Sequence, residues 1–472
     1  MLSLVVCAHG VSYGAELRIG TATANITPDQ AVALQGQRRT RIAREVESPL
    51  MATVVALEAV DREPVSRPDL EMHRRVGGVI FISCDLCKIE DKLSRAVRKV
   101  VGERVEGVRP NMISMSATHT HTAPVMTEGL YEIPAEGVMQ PAEYVEFAAG
   151  RISEAIERAW SSRQPGGVSW GLGHAVVAHN RRAVYVNGEA NMYGSTSRAD
   201  FRHIEGYEDH GVEVLFLWDR SKRLEAIAVN VACPAQEVEN RSQINADYWH
   251  PVREGLRERY GEDVCVLGWC GAAGDQSPHL MFRKRAERRM REGRGLNRLQ
   301  EIARRVIDAV DEAHQVASQD VRTDVEFAHK VEKIQLQRRE IPEERYTAAK
   351  KELSELKKKD ARGLERWWRE RLIEIYEENS PYEMELHALR IGDVAVCTND
   401  FELFTDFGIQ MKARSPALQT FVIQLAGPGR YVPTWRAVDH GDYGTGVLEA
   451  VLSPEGGQKL TDRTVEALKS LW

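Results

Sequence analysis

The sequence holds no apolar run near the roughly 20 residues that a membrane-spanning helix needs, and so offers no transmembrane segment. It has no excess of positive charge: 63 Lys and Arg face 70 Asp and Glu, for a net charge of -7. That balance argues against nucleic-acid binding through a general basic surface. Cysteine is scarce, with 7 in 472 residues, too few for a disulfide framework in a chain of this length. Cys84 and Cys87 have zinc-ribbon spacing, but no second pair exists to complete four thiolates. Cys84, Cys265 and Cys397 lie in apolar runs and read as small core hydrophobes. No Pro-, Gly- or Ser-rich linker divides the chain, and no internal repeat is visible.

What is present is a globular composition, 43% hydrophobic and 28% charged, which argues against global disorder. Residues 1–15, MLSLVVCAHGVSYGA, resemble the end of a secretory signal with cleavage after Ala15, although no basic residue precedes the apolar part. A secreted or periplasmic protein is the expectation. A misplaced start or a frayed terminus is the plainer reading. Cys7 follows Val6 rather than a small residue, which makes it a poor lipid-anchor site.

Strand-like and helix-like segments then alternate to the end. Gly77 to Cys84 and Asn111 to Ala117 read as strands, with a helix between them carrying Ile89, Leu93, Ala96 and Val100 on one face. Pro141 to Trp160 reads as a helix striped by Tyr144, Ala148, Ile152, Ala155 and Ile156. Val212 to Trp218 and Leu224 to Cys233 form an expected hairpin, and Asp263 to Gly268 a buried strand. Leu296 to Val310 marks an amphipathic helix, and Met384 to Thr398 a hairpin turning at Gly392-Asp393. The highly charged stretch near 338–378 reads as one or two solvent-facing helices inserted into the domain. The expected fold is α/β: mixed β-sheets flanked by helices, in one large domain over 16–472.

Five segments can carry chemistry. In SMSATHTHTAP, Ser114 to Pro124, a strand would put Ile113, Met115, Ala117, His119 and His121 on one face. The two imidazoles would then have backbones about 6.6 Å apart. Both can bind one metal, or one binds it while the other reaches substrate; two hydrogen-bonded histidines at a strand end is the plainer reading. In GWCGAAGDQSPH, a Gly-rich loop delivers Asp275, Ser277 and His279, without the pattern of a phosphate loop or a nucleophile elbow. A plain turn with Asp275 satisfying backbone amides reads equally well. VVAHNRR ends an apolar strand in Arg181 and Arg182, where an Arg can clamp an oxyanion or simply face solvent. NDFELFT sets Glu402 among Phe401, Leu403 and Phe404, an environment that is costly for a carboxylate without a partner or metal. GPGRYVPT places Tyr431 after a Gly-Pro-Gly turn.

Together these segments resemble the catalytic N-terminal domain of the neutral (non-lysosomal) ceramidase family. The matching pieces run in the family's order: ITP at Ile26, ATHTH at Ala117 to His121, NR at Asn180-Arg181, GDQSP at Gly274 to Pro278, FE at Phe401-Glu402 and YVPT at Tyr431 to Thr434. The resemblance spans the chain from about Leu17 onwards, and THTH with GDxSP carries most of its specificity. It implies a zinc-dependent hydrolase that cleaves an amide through metal-activated water, on a small-molecule or lipid-like substrate, with sphingolipid metabolism as the setting. It implies that His119 is a metal ligand with Glu402 and Tyr431, that His121 and Arg181 meet substrate or oxyanion, and that Ser277 of the GDxSP loop is required as nucleophile or hydrogen-bond partner, with Asp275 beside it in the catalytic set. One departure stands out: where the family has a His-Pro strand end supplying a second histidine, this chain has NVACPAQE, Asn230 to Glu237. Cys233, Gln236 or Glu237 is the expected replacement, or His250 in INADYWHP. Hydrolysis of a glycoside or ester in a polar, carbohydrate-like substrate is the first alternative, suited to the set His121, Arg181, Asp247, His250, Asp275 and Glu402. A non-catalytic binding protein on the same scaffold is the second.

Overall fold

Strands of apolar or alternating sequence dominate the centre of the molecule. The computed structural model describes residues 12–60, 75–358 and 363–472. Met1 to Val11 lie outside the described residues; the rest of the leader-like stretch belongs to the first strand. A 12-stranded mixed sheet contains β1 (Ser12–Asn25), β2 (Met51–Val60), β3 (Arg75–Cys84) and β4 (Ile113–Ala117). It continues with β5 (Gln164–His174), β6 (Gly211–Asp219), β7 (Leu224–Val231) and β8 (Cys265–Cys270). β9 (Asp324–Leu336), β10 (Tyr382–Ile391), β11 (Val394–Thr398) and β12 (Gln419–Ile423) complete it.

β1 branches the sheet, pairing with β2 along Glu16 to Asn25, with β9 around Ala15 and with β5 at Arg18-Ile19. The two arms fold face to face over one apolar layer that includes Leu17, Leu57, Phe81, Leu215, Leu267, Trp269 and Phe421. Trp269 sits edge-on to Phe81 at 5.1 Å and to Phe421 at 5.9 Å, which is favourable aromatic geometry between facing sheets. Helices cover both outer faces. α1 (Asp91–Arg104) and α2 (Pro141–Ser161) pack over β1 to β4. α3 (Trp249–Tyr260) and α4 (Arg298–Ala317) pack over β6 and β7.

The expected elements are present, with local differences. α1 buries Leu93, Val97 and Val101 instead of Leu93, Ala96 and Val100, because the helix starts at Asp91 and its four-residue stripe runs from Leu93. The strand through the His-Thr-His segment stops at Ala117. There Thr118 N–H makes the last ladder bond, to Cys84 O at 2.9 Å, and Ala117 N–H bonds Leu425 O at 3.2 Å. The charged stretch near 338–378 forms α5 (Glu343–Lys358) and α6 (Leu364–Glu378). These helices stack Tyr346 on Tyr376 and cover apolar residues around Tyr131 and Leu448.

Candidate functional site

Three pairs of adjacent strands in the sheet run parallel: β3 with β4, β7 with β8 and β11 with β12. Loops leaving the carboxyl ends of parallel strands meet at one edge, where open α/β sheets place their sites. Here the loops are tied to one another. Ala235 N–H donates to Thr118 O at 3.1 Å, Gly274 N–H to Leu403 O at 2.8 Å and Gln424 N–H to Cys270 O at 2.9 Å. Cys87, His119 and His121 come from the first pair of loops, Gln236, Glu239, Asp275 and Ser277 from the second, and Glu402 and Tyr431 from the third.

His119 takes a left-handed backbone, φ 69°, and its N–H donates to Leu86 O at 3.0 Å. Its Nδ1 lies against the carbonyl oxygen of Cys87. A carbonyl only accepts, so Nδ1 carries the proton, which leaves Nε2 to meet a metal as a lone-pair donor or, without one, to hold a second proton against Glu402. Nε2 faces Glu402 Oε2 at 3.4 Å. Glu402 is fixed by parallel pairing of Glu402–Leu403 with Tyr431–Val432. Burial works against the Glu402 charge, but His119 and the Tyr431 hydroxyl outweigh it and hold its pKa well down. Burial likewise opposes a charged His119, and Cys87 and Glu402 reverse that effect and push its pKa up.

The sulfur of Cys87 and ring nitrogens of His119 and His121 all lie within 4.8 Å of one another. Burial favours the Cys87 thiol, yet the two imidazoles overcome it and lower its pKa. The rings of His119 and His121 meet edge to face at 4.8 Å. The two rings come together through the sharp turn at His119 and not by the strand alternation that the sequence suggests. Gln236 Nε2 lies 2.8 Å from His121 Nε2. Glu239 Oε2 is 3.2 Å from His121 Nδ1, close enough for an ion pair but off the line of a hydrogen bond, so this buried nitrogen keeps no hydrogen-bond partner among the described residues. Gly36 backs the ring: at φ +103°, a Cβ there would lie 2.3 Å from His121 Cγ.

Arg181 spans the site floor. Its Nη2 donates to Gly274 O at 2.9 Å and to the Tyr431 hydroxyl at 3.1 Å, and Nη1 reaches Gln236 Oε1 at 3.5 Å. Ser277 is fully buried. Its Oγ accepts from the Tyr193 hydroxyl and from His279 N–H, both at 3.1 Å. Asp275 receives the Asn180 amide at 2.7 Å, Thr405 N–H at 2.9 Å and the Thr405 hydroxyl at 2.8 Å. Three donors occupy this carboxylate with holding loops together.

The structure does not bring Cys233 or His250 to the cluster. Cys233 is buried in the apolar layer under α3, its thiol against Val177 O and Pro234 O at 3.7 Å, and burial raises its pKa far above the usual thiol value. His250 stands in the first turn of α3 and lines an outer groove with Glu47 and Glu254. Asp247 is buried nearby and bound by Val238 N–H and Tyr248 N–H at 2.8 Å. Glu237 turns away to Arg298 at 3.1 Å. Of the expected replacements for the missing histidine, Gln236 alone reaches the site. Sequence reasoning missed Cys87 and Glu239. The signal for Cys87 was its place just past the strand that ends at Cys84, beside the histidine segment; for Glu239 it was the second acidic residue after Gln236.

The donor set of thiol, imidazole, carboxylate and phenol fits a transition metal such as zinc. No family model matches the sequence, and no curated protein matches it. Among solved structures, the chain is similar to the neutral ceramidase from Pseudomonas aeruginosa, with a TM-score of 0.69 and 15% identity over 97% of this chain and 75% of that one. It is also similar to a ceramidase complexed with C2, with a TM-score of 0.67 and 14% identity over the same shares. At these identities the likeness is one of architecture: the chain has the neutral-ceramidase fold that its THTH and GDQSP segments imply.

Proposed function

We propose that the protein is a metal-dependent hydrolase of the ceramidase type, cleaving an amide with water as nucleophile. The observation that carries this reading is the convergence of His119 Nε2 on Glu402 at 3.4 Å, with Tyr431 paired beside Glu402, inside the ceramidase fold. His119, Glu402 and Tyr431 would hold a zinc ion, with Cys87 and His121 as the further donors within reach. When bound, such an ion polarises a carbonyl and makes a water acidic enough to attack near neutral pH. Arg181, fixed by Gly274 O and the Tyr431 hydroxyl, supplies positive charge where an oxyanion would develop. His121, set against Glu239 and Gln236, is placed to move a proton at Nδ1 or Nε2 to the leaving amine. Ser277 orders Tyr193 and the His279 backbone around the cleft.

The walls supplied by Arg181, Tyr193, Gln236, Glu239 and His279 are polar, which favours a hydroxylated or charged substrate over a long alkyl chain. Turnover of N-acyl amino sugars and of long-chain N-acyl amides tests this. Glu402→Gln should lower kcat/KM by at least about a thousandfold on the active substrate. Unchanged turnover in that variant would remove Glu402 from the chemistry.

A further inference from the structure

A second feature borders this site. The turn at Pro428 to Arg430, the stretch Lys88 to Asp91 and α6 enclose a cavity of about 330 Å³, within the size range of small-ligand pockets. Its walls include Arg338, Arg339, Arg371, Arg430, Trp367 and Trp368. Arg430 lays its guanidinium over the Trp368 ring at 3.4 Å. Arg338 sits over Tyr382 at 5.1 Å and donates to Ser380 O, while Arg339 donates to Thr445 O. Among the described residues, none of Arg338, Arg339 and Arg430 has a carboxylate within ion-pair distance. The acids on the same wall face other partners: Glu90 meets Lys88 at 3.2 Å and the Thr127 hydroxyl, Asp91 meets Arg95 at 3.8 Å, and Glu374 meets Arg371. Burial is the largest influence on Arg338 and Arg339 and pulls their pKa values down. Three partly desolvated guanidinium groups around one cavity form a receptor for an anion.

The cavity adjoins the catalytic cluster through covalent neighbours. Lys88 follows Cys87, Arg430 precedes Tyr431, and Arg430 O accepts from Glu402 N–H at 3.2 Å. We propose that this cavity is a subsite for a carboxylate- or sulfate-bearing ring on the substrate, the anion held by Arg338, Arg339 and Arg430 and the ring by Trp367 and Trp368. α5 and α6 are then a specificity insertion. As a substrate subsite this rests on the hydrolase reading above; as an anion site it stands alone.

Calorimetric titration of the metal-replete protein with glucuronate, and with glucose as the neutral match, tests it. Glucuronate should bind at least about tenfold more tightly than glucose, and Arg430→Gln and Arg338→Gln should each weaken it by about tenfold. Trp368→Leu should weaken glucuronate as well, which gives a second probe should Arg430→Gln fail to fold. His119→Ala should leave glucuronate binding intact. Equal affinity for the two sugars, no binding of either, or binding that vanishes in His119→Ala or on chelation would overturn the proposal. Glucuronate binding in a protein that takes up no metal would support the subsite and sink the hydrolase reading.

Discussion

His121 shows how much a single position depends on what stands behind it. Gly36, at φ +103°, leaves room for the imidazole, and a Cβ would come within 2.3 Å of its Cγ. Gly36→Ala must shift the ring or the turn, and misplacement by about 1 Å can cost about a hundredfold in rate. We expect kcat/KM to fall by that order with an unchanged circular-dichroism spectrum. Cys87 makes a complementary prediction: if its sulfur joins the metal shell, Cys87→Ala should weaken zinc binding about ten- to hundredfold in chelator competition. An unchanged affinity would confine the shell to His119, Glu402 and Tyr431. At this scale the sequence reveals residue types better than geometry. His119 and His121 stand out by spacing, yet what joins them is a left-handed turn. Cys87 and Glu239 carry no periodic signal, because their partners are more than thirty and more than a hundred positions away.

Among the elements, those with long apolar stripes were legible and the site-forming ones were not. α2 buries Tyr144, Ala148, Ile152, Ala155 and Ile156, as a 3.6-residue period requires. Glu402–Leu403 and Tyr431–Val432 are two-residue strands, too short to show any period. The parallel pairing that gathers six loops at one edge joins segments far apart in sequence, which local pattern does not encode. One ion pair braces that edge. Arg253 of α3 holds Asp85 through two bonds of 2.6 and 2.8 Å. Asp85 also accepts from Met51 N–H at 2.9 Å and the Thr118 hydroxyl at 3.2 Å. Both partners are buried. Arg253→Met would strand a buried carboxylate and should destabilise the fold by about 3–5 kcal/mol in urea unfolding. A loss below about 1 kcal/mol would mean that the remaining donors suffice.

Part of the molecule's pH response lies outside the site. Glu385 lies against Arg98 and His387, and Glu208 against His179 and His210. Burial raises both carboxyl pKa values, but these partners outweigh it and bring each down to about 2. With folded values below the unfolded value of about 4.3, each group binds fewer protons folded than unfolded. Its stabilisation is complete above pH about 4.3 and is lost as pH falls towards about 2. Unfolding free energy should therefore drop across that window, and Glu385→Gln should make the drop shallower. An identical slope in the variant would show that Glu385 is not perturbed. The double-layered sheet and its helices follow from apolar patterning spread along the whole chain, and for that reason the α/β architecture survives at 15% identity to the ceramidase from Pseudomonas aeruginosa.

On the proposed function, His119, Glu402 and Tyr431 hold a metal within this fold. Elemental analysis of the purified protein, stripped and reconstituted with zinc beside its His119→Ala variant, tests it most directly. About one zinc per chain in the parent and none in the variant is the predicted result. No retained metal in the parent, or equal metal in both, would contradict it.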